Sequence, residues 1–489
     1  VLAQGECFES ALDMVPAPPV LAEPTTSGEG PVKGAADIPE PPVPVDGRCT
    51  FVVPNKGRRC RFMVAPGLSR CGAHREDAVA TLGDRIPCPL DPGHTVYAKR
   101  LDQHLKVCTK VREDCIVTQQ PFYRKGVNAG GAAPVTGDNA IAALPEEAAQ
   151  AWMDRITVAW PIAVREVLGP SADPAALLEL SVLEEAGDVG HAEKHEVQNQ
   201  ALAQLVAEGG LAADGALIVE LGCGRGGLGA AVLGLRPGGR MVLVDREPRR
   251  HKFENRQESR DEQVLRLRMD VADFDLAGLL GPPLAPQALP RAADFRSEAL
   301  SASAAGSKGL GPVERLEELW RAAAALQASP WPPPQVLACA KHLCGGGTDI
   351  ALRALQGSCG RGAAGPSVAV CAATCCHHRC DAGSYVNVPF LQKLGLCTSP
   401  EDFAHFASRA GWAVGGMGSA RDLVKRRVGM MAKRILDLGR VAWLREELGL
   451  EDARLVGYIG KTVTPENIAI VAGGVGSAPA PGFESSAPL

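Results

Sequence analysis

The chain of 489 residues carries 51 Lys and Arg against 56 Asp and Glu, a formal net charge of -5, so whole-chain charge excludes a general polyanion binder. Its length exceeds what one hydrophobic core usually supports, which predicts more than one folded unit. Hydrophobic residues make up 46% but aromatics only 4%, so part of the apolar content belongs to Ala/Gly/Pro-rich loops, and no apolar run is long enough to cross a bilayer.

Residues 1–46, rich in Pro, Ala and acidic residues without helical or strand periodicity, read as a disordered lead-in. They lack the basic-then-apolar order of a signal peptide, and because the first residue is Val1 and not Met, an address at the true N-terminus would not be visible here. The expectation is a soluble intracellular protein, cytoplasmic or nuclear, whose 16 Cys serve as metal thiolates and buried thiols and not as disulfides.

Two compact Cys/His segments follow. In "RCTFVVPNKGRRCRFMVAPGLSRCGAH", Cys49, Cys60, Cys71 and His74 have the spacing C-x10-C-x10-C-x2-H. Four such ligands can close a tetrahedral zinc site, and a segment this short cannot bury enough core to fold without one. In "CPLDPGHTVYAKRLDQHLKVC", Cys88, His94, His104 and Cys108 form C-x5-H-x9-H-x3-C, with His104 and Cys108 on one face of an expected helix. Residues 47–78 and 84–112 therefore read as two modules, each holding one structural zinc ion. Between Arg48 and Arg75 there are seven Lys/Arg and no Asp/Glu, which favours phosphate contact by the first module over protein docking.

Residues 113–200 read as a Gly-rich linker, "YRKGVNAGGAAPVTGDNA", leading into helices near 145–168 and 193–208. From about 216 the pattern changes to short apolar runs separated by helical stretches: "ALIVELG", "RMVLVD", "VLRLRMD", "QVLACAK" and "SVAVCAA". This predicts a doubly wound α/β sheet over 201–475, Rossmann-like, with "ARLVGYIGK" and "NIAIVAGG" as a terminal antiparallel hairpin. Residues 278–332 are taken as an insertion loop with one amphipathic piece, "VERLEELWRAAAALQ", and 476–489 as a disordered tail.

"VELGCGRGGLG" follows the first of these strands and satisfies both G-x-G-x-x-G, through Gly222, Gly224 and Gly227, and G-x-G-x-G, through Gly222, Gly224 and Gly226. The first pattern points to NAD and the second to S-adenosylmethionine. Glu220, two positions before the first Gly, favours the methyltransferase version, where it can meet the charged methionine moiety. Asp245 suits the ribose hydroxyls, and Asp270 or Asp273 the adenine amine.

Ligands of open α/β sheets lie at the carboxyl ends of the strands, where this chain places "AKHLCGGGTDIALR" and "ATCCHHRCD". In the second run, neighbouring side chains of an extended chain point to opposite sides, so Cys375, Cys376, His377 and His378 do not readily converge on one ion. A metal site and buried packing remain open, but the run reads foremost as a functional strand-end loop. "KRRVGMMAKRILDLGR" offers Lys425, Arg426, Arg427, Lys433 and Arg434 either to an RNA backbone or as a solvated helix face.

The order of the two Cys/His spacings, "VELGCGRGGLG", "AKHLCGGGTDIALR", "CCHHRC", "SYVN" and "TPEN" resembles the eukaryotic tRNA 2'-O-methyltransferase family that modifies the fourth nucleotide of the acceptor stem. The resemblance spans about residues 48–473. It implies a class I methyltransferase fold, S-adenosylmethionine as cofactor and the tRNA acceptor stem as partner, with no DNA or membrane partner and no readable protein partner. A ribose hydroxyl needs alignment and help in losing its proton. Lys341, His378 and His377 are the candidate bases, and Asp349 or Glu466 the group orienting them. The competing reading is a zinc-dependent RNA-binding protein whose methyltransferase-like domain is inactive, and an NAD-linked oxidoreductase is a third.

Overall fold

The computed structural model describes residues 47–53, 58–64, 66–71, 74, 84–131, 144–179, 191–235, 239–249, 253, 264–291, 294–295, 311–328, 330–359, 365–414, 419–460 and 463–473. The lead-in 1–46 and the tail 476–489 lie outside them. The chain divides into two compact units, residues 1–88 with 93–101, and residues 89–92 with 102–489.

In the smaller unit, Val52–Val53 (β1) pairs antiparallel with Arg58–Arg59 (β2). Arg85–Cys88 (β3) and Asp91–Tyr97 (β4) form a second two-stranded sheet. Among the described residues of the first module, Cys49, Cys60 and Cys71 are buried, with Phe51 and Val64 packed against them. An apolar cluster this small cannot hold a fold by itself.

The larger unit is built on a seven-stranded sheet. Its strands are Leu217–Leu221 (β5), Arg240–Val244 (β6), Val264–Leu267 (β7), Gln335–Lys341 (β8), Ser367–Ala373 (β9), Arg454–Gly457 (β10) and Ile468–Ala472 (β11), in the order β10-β11-β9-β8-β5-β6-β7. Five strands are parallel, while β11 runs antiparallel to both β9 and β10. The closing hairpin is thus present, with its second strand inserted against the sheet and its first at the edge.

Alternation sorts the two faces. Leu217, Val219, Leu221, Val242, Val336 and Ala338 point into one core, shared with Trp152 and Ile156 of the helix Glu146–Leu168 and Leu436 of the helix Ala420–Leu448. Ile218, Met241, Leu243 and Cys339 point into the other, with Leu202 of the helix His191–Glu208 and Leu228 of the helix Gly227–Leu235. Helices on both faces explain why these strands read as continuous apolar runs and not as alternating ones.

Three stretches differ from their reading in sequence. The segment 278–332 is not a plain loop: its amphipathic piece is the helix Pro312–Leu326, which buries Leu316, Ala323 and Leu326 between β7 and β8 in chain order. The start of the Gly-rich passage is strapped to the segment after β7. Gln120 donates to the Arg268 carbonyl at 2.7 Å, and the Asn128 amide donates to the carbonyls of Val271 and Phe274, both at 2.8 Å. Lys433 and Arg434 are buried at 5% and 2% exposure, so neither can form an RNA-facing or solvated surface. Their helix runs from Ser419, whose hydroxyl accepts from the Asp422 N–H, to Gly449 in the left-handed conformation, and both caps match their residue types.

Candidate active site and metal centres

The Gly-rich loop leaves β5 at Leu221 and enters the helix Gly227–Leu235. Gly222, Gly224 and Gly226 all have positive φ, at 67°, 54° and 82°, which side chains rarely adopt. A Cβ at Gly222 would collide with Leu343, whereas one at Gly224 would meet nothing within 4 Å. Asp245, at the end of β6, accepts from the Gly224 N–H at 2.6 Å through one carboxylate oxygen and from the Glu247 N–H at 2.7 Å through the other. The loop is therefore clamped by Asp245 beside open space at Gly224.

The other cofactor candidates divide. Asp270 caps the turn Val271–Asp273 by accepting from the Ala272 N–H, and lies 3.6 Å from Arg246. Asp273 accepts from the Gly126 N–H at 2.7 Å. Glu220 is on the face of β5 under the helix Gly227–Leu235, 4% exposed, and accepts from the Gly229 N–H at 2.8 Å. Burial pushes its carboxyl up to about 7, with the Gly229 bond and the Arg266 and Lys341 charges opposing the rise. Glu220 thus supports the loop from behind.

Lys341 ends β8 on the same face. Its Nζ donates to Asn199 Oδ1 at 2.5 Å and to the His195 carbonyl at 3.1 Å. Both partners are on the helix His191–Glu208, one turn apart and so on one side of it. Burial brings the Lys341 amine down to about 8, against the opposing charges of Glu220 and Glu196. Asn199 also borders the Gly-rich loop: a Cβ at Gly227 would sit 2.6 Å from its Nδ2. Sequence patterning carried no signal for Asn199, because an Asn on a helix has no motif.

Beyond β9, the two histidines part company. His377 is 1% exposed and its Nε2 lies 2.8 Å from Asp437 Oδ1. Asp437 is held well below the usual carboxylate range: burial opposes this, but His377, Arg434 and Arg440 prevail. The carboxylate accepts, so Nε2 carries the hydrogen, and burial keeps the His377 ring neutral by lowering its pKa. Asp349, fully buried, takes both Nε (3.1 Å) and one terminal nitrogen (2.6 Å) of Arg440. Glu466 accepts from Lys433 at 2.6 Å, and its carboxyl is held low by that partner despite burial. Asp349 and Glu466 thus belong to ion pairs of the helix Ala420–Leu448, and His377 is hydrogen-bonded to the same helix. Lys341 and His378 remain on the open edge, with His378 exposed against Gly411.

In the smaller unit, the ligand atoms of Cys49, Cys60, Cys71 and His74 lie within 4.8 Å of one another. His74 Nδ1 is 3.4 Å from both Cys49 Sγ and Cys71 Sγ. The Phe51 ring stacks on its imidazole at 3.9 Å, and burial lowers its pKa, which favours the neutral ligand form. Cys88, His94, His104 and Cys108 converge within the same limit, with Cys108 following the helix Leu101–Val107. Both donor sets suit zinc.

Comparison with known proteins agrees with this layout. The family model "Methyltransferase TRM13" matches residues 197–283, 324–425 and 419–473. "CCCH zinc finger in TRM13 protein" matches 47–75, and "U11-48K-like CHHC zinc finger" matches 85–109. The two Cys/His segments are therefore zinc fingers. A "tRNA:m(4)X modification enzyme TRM13" of Eremothecium gossypii is 31% identical over 476 residues, covering 88% of this chain and 95% of that one. The Saccharomyces cerevisiae protein of that name is 24% identical, covering 79% and 84%. The Homo sapiens homolog is 25% identical, covering 77% and 76%. Among solved structures, the plantazolicin methyltransferase BpumL in complex with a monoazolic desmethylPZN analog and SAH aligns over 66% of this chain and 98% of that one at 10% identity and a TM-score of 0.24, too loose a superposition for any transfer. Among the described residues no helix is long and apolar enough to cross a membrane. With matching fingers, matching methyltransferase segments and near end-to-end likeness to the Eremothecium protein, the chain belongs to the TRM13 methyltransferase family.

Proposed function

We propose that the chain transfers a methyl group from S-adenosylmethionine to the 2'-hydroxyl of the fourth nucleotide in a tRNA acceptor stem. The observation that carries this reading is the shared carboxyl edge of the parallel strands, which holds the open Gly224 turn, Asp245 and Lys341, whose amine burial brings down to about 8. The names of the relatives, tRNA modification enzymes, support tRNA as the substrate class.

The cofactor, when bound, supplies an electrophilic methyl on a sulfonium. Asp245 suits its ribose hydroxyls, and the Gly224 turn lets its chain approach the backbone. Lys341 is the base. A neutral amine has two N–H donors and one lone pair. Asn199 Oδ1 and the His195 carbonyl take the two donors, which leaves the lone pair for a third partner. The neutral amine would take the hydroxyl proton, while the bound cofactor would supply the methyl and leave as the neutral thioether. His378 stands exposed on the same edge to contact the RNA. Asn199 positions the lysine, whereas Asp349, His377 and Glu466 hold the loops in place.

Transfer of tritiated methyl from S-adenosylmethionine to unmodified tRNA, followed by alkaline digestion, tests the reading. Labelled, alkali-resistant dinucleotide from the acceptor stem is expected. Tight tRNA binding without transfer would instead favour an inactive RNA-binding protein, and label on a base would overturn the 2'-hydroxyl assignment.

A further inference from the structure

Cys344, in the loop after β8, and the adjacent pair Cys375 and Cys376, after β9, bring their sulfurs within 4.8 Å of one another. The two zinc-finger donor sets meet that same limit, but this triad lies elsewhere in the chain and outside every finger model. We propose that these three thiolates bind a third zinc ion, which ties the two strand-end loops of the methyltransferase edge together.

Three observations carry the assignment. Cys344 Sγ and Cys375 Sγ are 3.8 Å apart. Two sulfurs on one tetrahedral zinc, each about 2.3 Å from the metal, are about 3.8 Å apart. A disulfide requires about 2.05 Å.

The second observation is backbone conformation. Adjacent side chains of an extended strand diverge, yet Cys376 adopts φ 49° and ψ 39°, the left-handed region that non-glycine residues rarely occupy. That turn cancels the alternation and swings Cys376 to the side of Cys375. Strain of this kind persists where the surroundings hold it, and such positions cluster at ligand sites.

The third is the apposition of the loops. Gly345 has φ 62°, and a Cβ there would collide with the Arg379 carbonyl, so only glycine allows the loop after β8 to lie this close to the loop after β9. Cys344 is exposed and Cys376 half-buried, so the site opens to solvent. Three thiolates with an open side leave the fourth position for water or another small donor.

Zinc is measured in the full-length protein by plasma mass spectrometry, alongside Cys344→Ser at the exposed position. Three equivalents per chain in the wild type and two in the variant are expected. Two equivalents in both would overturn the proposal. Should the variant misfold and lose all its zinc, alkylation of wild-type Cys344 by iodoacetamide decides. Protection that disappears on adding a zinc chelator supports the site, whereas free reaction without chelator, or a Cys344–Cys375 disulfide in nonreducing peptide maps, overturns it.

Discussion

Asn199 Oδ1 lies 2.5 Å from Lys341 Nζ across 142 residues of chain, and through this contact the helix His191–Glu208 aims the terminal amine of β8. Lys341→Ala should lower methyl transfer by about 10²- to 10⁴-fold while leaving S-adenosylmethionine binding intact. Lys341→Arg should not rescue it, because a guanidinium does not give up its proton. Single-turnover transfer together with calorimetric cofactor titration separates the two effects, and full activity in either variant would remove Lys341 from the chemistry.

The pH profile follows from the same amine. Burial lowers Lys341 to about 8, so the neutral base accumulates as pH rises, and the rate should climb up to about that value before levelling. Asn199→Asp sets a carboxylate beside the amine and raises its pKa. Its profile should move to higher pH, and an unmoved profile would deny Asn199 its positioning role.

Glu220 makes a separate statement about stability. Its folded-state pKa of about 7 lies above the ordinary value, so between the two the folded protein binds the extra proton and loses stability as pH rises. Above pH 7 the buried carboxylate opposes folding on the order of 3 kcal/mol. Glu220→Gln keeps an acceptor for the Gly229 N–H without that charge. Thermal melts at pH 5 and pH 8 should show the variant gaining on the wild type at the higher pH.

Asp437 anchors the ion-pair network under the edge, 2.8 Å from His377, 2.9 Å from Arg434 and 3.1 Å from Arg440. Asp437→Ala leaves the buried Arg434 guanidinium without its carboxylate, while Arg440 keeps Asp349, and should cost about 3–5 kcal/mol in urea unfolding. His377→Ala should lose stability before activity. A folded but inactive His377→Ala protein would return that histidine to the chemistry.

Zinc removal should act locally on the first finger. Cys71→Ser takes one of four ligands from a module whose apolar cluster is three cysteines with Phe51 and Val64. Its amides should lose hydrogen-exchange protection, while those of β5 and β8 keep theirs.

Much of this protein is legible in its sequence because the signals are local. Ligand spacings such as those of Cys49 to His74 lie within a few turns of chain. The apolar runs of β5, β6 and β8 mark strands buried on both faces, and glycines at 222, 224 and 226 report backbone angles that other residues avoid. Partner choice is not local. Sequence alone put Glu220, Asp349, His377, Lys433 and Arg434 at or near the reactive edge or on the surface, since an acid or base at a strand end looks the same whether it faces solvent or a buried partner. Only tertiary structure, by laying the helix Ala420–Leu448 under the edge, assigned Asp349 to Arg440, His377 to Asp437 and Glu466 to Lys433. It also put Asn199 beside Lys341 and turned Cys376 toward Cys344. Buried charges and close thiols must find partners wherever the fold brings them, and those partners lie from 33 to 142 residues away in the chain or are hidden by a single backbone angle.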